Sequence, residues 1–219
     1  MAPDVAGMEF VEPSFGASVD GDGPPRLLLA QQEGAVVVNS SGDRFVDERA
    51  DIKELGRACA AQPDGLAFQV FDQDVMNRSR ATPAPRDFAS ALAAGLVRTA
   101  PTIDSLAGDL DLPVGALEAS LVGFREGLDP TDRRSRLLTP PYYAFRCRAG
   151  LSSTYGGIRV DGRLRPVTPD GTPVPGLFAA GEVVGGFHGA GYINGSALGK
   201  AAVFGRVAGL GAAAGAGHV

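Results

Sequence analysis

Cysteine is scarce: Cys59 and Cys147 are the only two in 219 residues, and neither has a second thiol near it in sequence. That excludes a disulfide framework and a zinc knuckle, and leaves two thiols expected in or near a core, in a reducing compartment. Basic residues are outnumbered, Lys+Arg 20 against Asp+Glu 25 for a net charge of −5, and they are scattered rather than striped. A nucleic-acid groove needs a row of cations against phosphates, so nucleic acid is not an expected partner. No stretch reaches the ~18 consecutive apolar residues that would span a bilayer. "MAPDVAGMEF" has neither the basic region nor the apolar segment of a secretory signal. The expectation is a soluble, cytoplasmic protein with no membrane partner. No internal repeat is visible.

What the chain does have is 44% apolar residues, enough to fill the core of one large domain or two small ones. Residues 8–40 read as extended segments, with "AVVVN" rich in β-branched residues, and "SSGDRF" reads as a turn. From Asp47 a helix is expected through "DERADIKELGRACAAQ", then a short strand "LAFQVF". "DFASALAAGLVRTA" and "PVGALEASLVGFREGL" carry apolar residues at three- and four-residue spacing and are expected as helices. Strand signals return after "TPPYYAFRCRAG": "GGIRV" and "GRLRPV" around "DG" suggest a hairpin, and "LFAAGE" a short buried strand. A small-residue helix follows from "GSALGK". The fold class expected is α+β, with residues 45–137 forming a mixed α/β insertion between two flanking parts, 1–44 and 138–219.

The segment "GEVVGGFHGAGYINGSALGK", 181–200, follows an apolar run and ends in Gly-Lys. A Walker A loop would need glycine where Asn194 stands and Ser or Thr where Ala201 stands. A dinucleotide fingerprint G-x-G-x-x-G would begin at Gly189 and Gly191, but again requires glycine at 194. Neither phosphate motif is present here or elsewhere in the chain. What remains is a strand, Gly-Glu, a glycine loop and a helix whose N-terminus near Ser196 offers unpaired amides and the positive end of its dipole. That arrangement suits a flat ring that gains charge on its carbonyl oxygens on reduction; it equally suits a loop that merely packs a helix on a sheet.

These stretches together carry a family resemblance. "PYYAFRCRAGLSSTYGGIRV", "GTPVPGLFAAGEVVGGFHGAGYINGSALGKAAVFGRVAG", "EGAVVVNSSGDRFVDE" and "PTIDSLAGDLDLPVGALEASLVGF" resemble the fumarate reductase/succinate dehydrogenase flavoprotein family. The similarity runs from about Met8 to Gly209 and is nearest in motif to 3-ketosteroid and tricarballylate-type dehydrogenases. The resemblance implies a partial FAD-binding domain, made of strands and the C-terminal helix, with an inserted capping domain that covers substrate. It implies FAD as cofactor. In "AAGE", Gly181 and Glu182 match the turn whose acidic residue binds FAD hydroxyls. Gly195, Ser196, Ala197 and Leu198 match the loop-to-helix junction whose backbone contacts the flavin ring.

Departures from the family narrow the reading. The half that grips the ADP moiety has no counterpart in this sequence, so a Rossmann-type FAD-binding subunit is the expected partner, in a hetero-oligomer. Ser153 stands before Thr154 where fumarate reductases have His before Thr, and Tyr192 stands where they have the substrate arginine. Ile52 replaces the capping domain's proton-donating arginine, with Arg49 the nearest substitute. Fumarate and succinate are therefore not the expected substrates. Tyr192 resembles the tyrosine of ketosteroid dehydrogenases that polarises a substrate carbonyl, which implies a small-molecule carbonyl substrate.

Other residues are open between chemistry and structure. His188 can contact flavin or substrate, or be satisfied by its own loop. Glu48 and Arg49 open the expected helix, as cap or as proton-transfer groups. Tyr142, Tyr143 and Tyr155 are expected as core and wall residues. Arg133, Arg134 and Arg136 read as a solvated charge cluster. The reading is thus a subunit of a split FAD-dependent oxidoreductase acting on a C–C bond beside a carbonyl, with Tyr192, His188 and Arg49 as catalytic candidates. The alternative is a flavin-free binding protein, or an isomerase or cyclase, on the same fold.

Overall fold

The computed structural model describes residues 4–6, 13–21, 23–127, 139–151, 154–188 and 195–215. The chain divides into two compact units, one of residues 13–150 and one of residues 1–12 with 151–219. Strands in chain order are β1 (Val5–Ala6), β2 (Ser14–Ser18), β3 (Val36–Val38), β4 (Leu66–Phe71), β5 (Val97–Ala100), β6 (Tyr142–Gly150) and β7 (Gly157–Ile158). Helices are α1 (Ile52–Ala60), α2 (Gln73–Met76), α3 (Phe88–Ala93), α4 (Ile103–Asp109), α5 (Val114–Glu126) and α6 (Ser196–Gly215).

The 13–150 unit is built on an antiparallel sheet ordered β2-β6-β4-β3. β6 is its spine: one edge pairs with β4 from Tyr143 to Arg148. Its other edge takes β5 at its beginning (Tyr142–Phe145) and β2 at its end (Cys147–Gly150). All six residues of β4 are buried, as in a strand covered on both faces. Its one polar residue, Gln69, is satisfied: Oε1 accepts from Gln31 N (3.2 Å), and Nε2 donates to Leu28 O (2.9 Å). Glu33 is buried nearby and answered by Arg80 (2.8 Å) and Arg86 (3.0 Å).

This pairing explains why the unit boundaries fall at 12/13 and 150/151 rather than at the expected 44/45 and 137/138. β3 is hydrogen-bonded to β4, and β6 to β2, β4 and β5, so residues 13–44 and 139–150 cannot be parted from the middle of the chain without opening the sheet. Other local expectations shift too. The expected helix from Asp47 begins only at Ile52, because Asp51 caps it by accepting from Lys53 N and Glu54 N. "DFASALAAGLVRTA" splits: Gly95 turns through φ +72, and Val97–Ala100 leaves the helix to pair with β6. "LLLAQQE", expected as extended, closes into a 3-10 turn at Ala30–Glu33, ended by Gly34 at φ +119.

Both thiols are fully buried, and burial pushes their pKa values up, Cys147 the further. Thiolate is the reactive form. Alkylation by iodoacetamide at pH 8 should therefore run about 100-fold slower on the native chain than in denaturant; equal rates would contradict the burial.

In the other unit, β1 pairs with β7. The expected hairpin is present as the bridge Val160↔Pro166, and it is followed by an unforeseen second turn bridged at Val167↔Pro173. The first turn is tied by Asp161, which accepts from Arg163 N and Arg165 N and pairs with the Arg165 guanidinium. "LFAAGE" is not a strand: Leu177–Ala180 runs on without ladder pairing, and Gly181–Val183 is a single 3-10 turn. Among the described residues no helix is long and apolar enough to cross a membrane, and no cluster of three His, Cys, Asp or Glu is placed to hold a metal.

Candidate functional site

Gly181, at φ +76 with open space where a Cβ would lie, reverses the chain ahead of Glu182. The Glu182 carboxylate accepts from Thr154 N (2.7 Å) and lies 3.4 Å from Thr154 Oγ1. Val184 then forms a parallel bridge with Ile158, and Gly185 N donates to Ile158 O (3.1 Å). Gly186 N donates to Tyr155 O (3.2 Å), which brings Phe187 and His188 to the start of α6. His188 is half-buried, its ring 5.3 Å from that of Tyr155 and its Nδ1 3.4 Å from Ser196 Oγ.

Gly195 takes φ +85, again with nothing where a Cβ would stand, and α6 begins. The first helical bond runs from Gly199 N to Gly195 O (3.2 Å). The amides of Ala197 and Leu198 therefore lie ahead of the intrahelical ladder, at the positive end of a helix of 20 residues. Lys200, one turn in, is 3% exposed and donates to Val184 O, with the Phe187 ring 5.5 Å away. Burial lowers its pKa, against the opposing pull of the Glu182 charge. This lysine tethers the 181–188 segment to α6.

Sequence reasoning did not find Lys200 as part of the site. In the sequence it stands out only as one of two charges in the twenty residues of α6, the other being Arg206, and that scarcity names no partner for it. Tyr192, together with Ser153 and the arginine cluster 133–136, lies outside the described residues.

In the 13–150 unit, Arg49 is held by Asp47 through Nε–Oδ1 (3.0 Å) and Nη2–Oδ2 (2.8 Å). That guanidinium holds the Asp47 carboxyl down at about 2. Glu48 is not a helix cap, because α1 begins at Ile52 and is capped by Asp51; its carboxylate is buried instead. It accepts from Arg44 Nε (3.0 Å) and Nη2 (2.7 Å) and from Val37 N (3.1 Å). Ile52 packs against the core. Arg49 borders two cavities, one of about 370 Å³ shared with Arg44, Glu48 and Phe124, the other of about 340 Å³ shared with Gln31, Glu48, Ile52 and Arg86.

Residues 5–198 match the family described as FAD binding domain, a stretch that runs from β1 to the start of α6 and takes in the Glu182 turn. The chain belongs to this FAD-binding flavoprotein family. FAD is the cofactor the family indicates. The chain is 31% identical over 185 residues to an NADH:fumarate oxidoreductase of Klebsiella pneumoniae (strain 342), covering 80% of this chain and 19% of that protein. It is 29% identical over 235 residues to a 3-oxosteroid 1-dehydrogenase of Mycobacterium tuberculosis (strain ATCC 25618 / H37Rv), covering 90% of this chain and 42% of that protein. The fold is similar to the open conformation of a flavocytochrome c3 fumarate reductase, with TM-score 0.79 and 26% identity over 98% of this chain and 38% of the other. The chain thus spans well under half the length of these relatives.

The residues fit the family's cofactor. A flavin presents carbonyl oxygens and a ribityl chain of hydroxyls. The site offers two unladdered amides at Ala197 and Leu198, a carboxylate at Glu182, and open space over Gly181 and Gly195 where a side chain would otherwise intrude.

Proposed function

We propose that the chain supplies the flavin-ring side of the cofactor site and the substrate-covering cap of an FAD-dependent oxidoreductase. The reaction proposed is transfer of a hydride to or from a carbon–carbon bond beside a carbonyl. The observation that carries the reading is the placement of Glu182 and the unladdered Ala197 and Leu198 amides in one unit, inside the stretch that matches the FAD-binding family. The names of the relatives, an NADH:fumarate oxidoreductase and a 3-oxosteroid 1-dehydrogenase, share a substrate carbonyl. That supports the substrate class.

FAD, when bound, supplies two-electron exchange with the substrate as hydride. The protein's part is positioning and charge. The Ala197 and Leu198 amides would hold the ring by its carbonyl oxygens, where such donors stabilise negative charge. Glu182 would hold the ribityl chain by accepting from its hydroxyls. Tyr192 donates its hydroxyl proton in a hydrogen bond to the substrate carbonyl, and His188 holds Ser196 at the helix start. Arg49 presents the cap's cation, with Asp47 keeping it in one orientation. The ADP end of FAD needs a dinucleotide-binding half, which we place on a further stretch of polypeptide, as a partner subunit.

Co-expression with that half tests the reading. The purified complex is expected to be yellow, to bleach anaerobically with a saturated 3-oxo compound that gives up hydride to FAD, and, once reduced, to recolour with an α,β-unsaturated carbonyl compound that takes hydride back. Tyr192→Phe should keep FAD and slow bleaching by about 100-fold. Glu182→Gln should retain under about a tenth of the FAD, the loss of one charge-assisted hydrogen bond. A folded, colourless complex sinks the oxidoreductase reading in favour of a flavin-free binding protein; an isolated chain that is already yellow sinks the need for a partner.

A further inference from the structure

The 3-10 turn Ala30–Glu33 carries two glutamines, and a third, Gln69 of β4, lies against it. Two of the three amides are answered. Gln69 has a partner at each end, Gln31 N and Leu28 O, and Gln32 Oε1 accepts from Arg86 Nη2 (3.0 Å). Gln31 differs. Its backbone is satisfied, the N–H by Gln69 and the carbonyl by Gly34 N (3.2 Å), and the residue is 3% exposed. Its side-chain Oε1 is buried without a hydrogen-bond partner among the described residues. An unanswered buried acceptor costs stability, and native folds keep few of them.

Gln31 lines the cavity of about 340 Å³ that Arg49 and Arg86 also border, a volume within the range of small-molecule sites. The ions of that wall already have counter-ions: Arg49 has Asp47 (2.8 Å), Glu48 has Arg44 (2.7 Å) and Arg86 has Glu33 (3.0 Å). Ala50 and Ile52 add carbon to the wall, both packed against the core. We propose that Gln31 is a specificity-determining residue: its Oε1 accepts a hydrogen bond from a hydroxyl that the substrate carries away from its reacting carbonyl, with the hydroxyl-bearing end in this cavity. The substrate class is then a neutral hydroxy-carbonyl compound. That the ligand is the substrate rests on the oxidoreductase reading, through Arg49, which that reading makes the cap's cation; a site for a hydroxyl donor does not.

The chemistry of the wall selects this ligand. The orphan is an acceptor, so the ligand has to donate, which a carbonyl, an ether or a carboxylate does not do. A charged ligand would be buried without a free counter-ion, whereas a hydroxyl asks for one acceptor. Unlike an amide N–H, it can also accept from the guanidiniums of the same wall. An oxo group in its place would set two acceptors against each other, and a hydrogen would leave Gln31 as it was; a site of this kind rejects both.

The test uses the full chain, alone and assembled with a dinucleotide-binding half, and two matched pairs of probes. One is 4-hydroxycyclohexanone against cyclohexanone, hydroxyl against hydrogen; the other is testosterone against androstenedione, hydroxyl against carbonyl. For the chain alone, Gln31→Met keeps the side chain's length and removes the orphan, so its melting temperature should stay within about 3 °C of the parent or rise. Gln69→Met, which strands Gln31 N and Leu28 O, should lower it by about 5 °C. A fall of more than about 3 °C in Gln31→Met overturns the proposal, because the amide then has a structural partner. In the assembled flavoprotein the hydroxyl member of at least one pair should show kcat/KM about 100-fold above its partner, and Gln31→Met should bring the two within about threefold. No preference in the parent, or a preference that survives in Gln31→Met, overturns the proposal and leaves the oxidoreductase reading standing; so does turnover of other carbonyl compounds when neither pair is bound. Binding to the chain alone is followed by saturation-transfer NMR. Preferential binding of a hydroxyl member that is lost in Gln31→Met, by a chain whose assembly holds no FAD, supports the hydroxyl site and refutes the flavin reading.

Discussion

Gly56→Ala is expected to destabilise the 13–150 unit by about 3 kcal/mol, the upper end of the usual cost of overpacking, and to lower its melting temperature by about 10 °C. A Cβ at Gly56 would stand 2.1 Å from Pro13 O and 2.7 Å from Pro13 C, both backbone atoms of the strand entry on which α1 lies. Neither can swing aside as a side chain would, so α1 must lift from β2 and open the cover over Phe15 and Leu55, both buried. Gly123→Ala is the control: it too is inside a helix, α5, but nothing lies within 4 Å of its Cβ position. Helix propensity alone predicts that both substitutions stabilise by up to about 1 kcal/mol. Thermal melts of the two should move in opposite directions; a stabilised Gly56→Ala would mean that α1 does not lie on Pro13.

Elements whose signal is local were legible in the sequence. β4 matched "LAFQVF" at both ends, because six apolar-dominated residues bounded by Gly65 and Asp72 leave no other reading. α5 followed its three- and four-residue spacing. Elements decided by a partner were not. Val97–Ala100 continues the apolar period of α3 and becomes a strand only because β6 offers it an edge. Glu48 and Arg49 stand side by side yet part company, one buried against Arg44 and Val37, the other held at the surface by Asp47. No pattern of adjacent charges foretells that. In the site, the Gly181-Glu182 turn and the Gly195–Leu198 junction could be read from their glycines and from the family resemblance. Lys200 could not, since its role depends on Val184 O, which the fold, not the spacing, brings to its ammonium.

Gly185→Ala should damage the cofactor site as much as loss of the Glu182 charge, with FAD retention by the assembled flavoprotein falling at least about tenfold, equivalent to about 1.4 kcal/mol. Gly185 and Gly157 face each other backbone to backbone. A Cβ on Gly185 would stand 2.5 Å from Gly157 N, and one on Gly157 would stand 2.3 Å from Val183 O. The added methyl must push the 181–188 segment off β7, and three ties fail in sequence: Gly185 N to Ile158 O, Gly186 N to Tyr155 O, and Lys200 to Val184 O. Glu182 moves with the segment, away from Thr154, and Lys200 loses the carbonyl that makes its burial tolerable. Gly181→Ala separates this from backbone strain alone, for its φ of +76 is unfavourable to alanine while nothing crowds its Cβ, a cost of about 1–2 kcal/mol with the ties intact. Absorbance of FAD retained after gel filtration, read beside the melting temperature, distinguishes the two. If Gly185→Ala holds its flavin as firmly as the parent, the turn that carries Glu182 does not position the cofactor, and the site must be sought elsewhere on the chain.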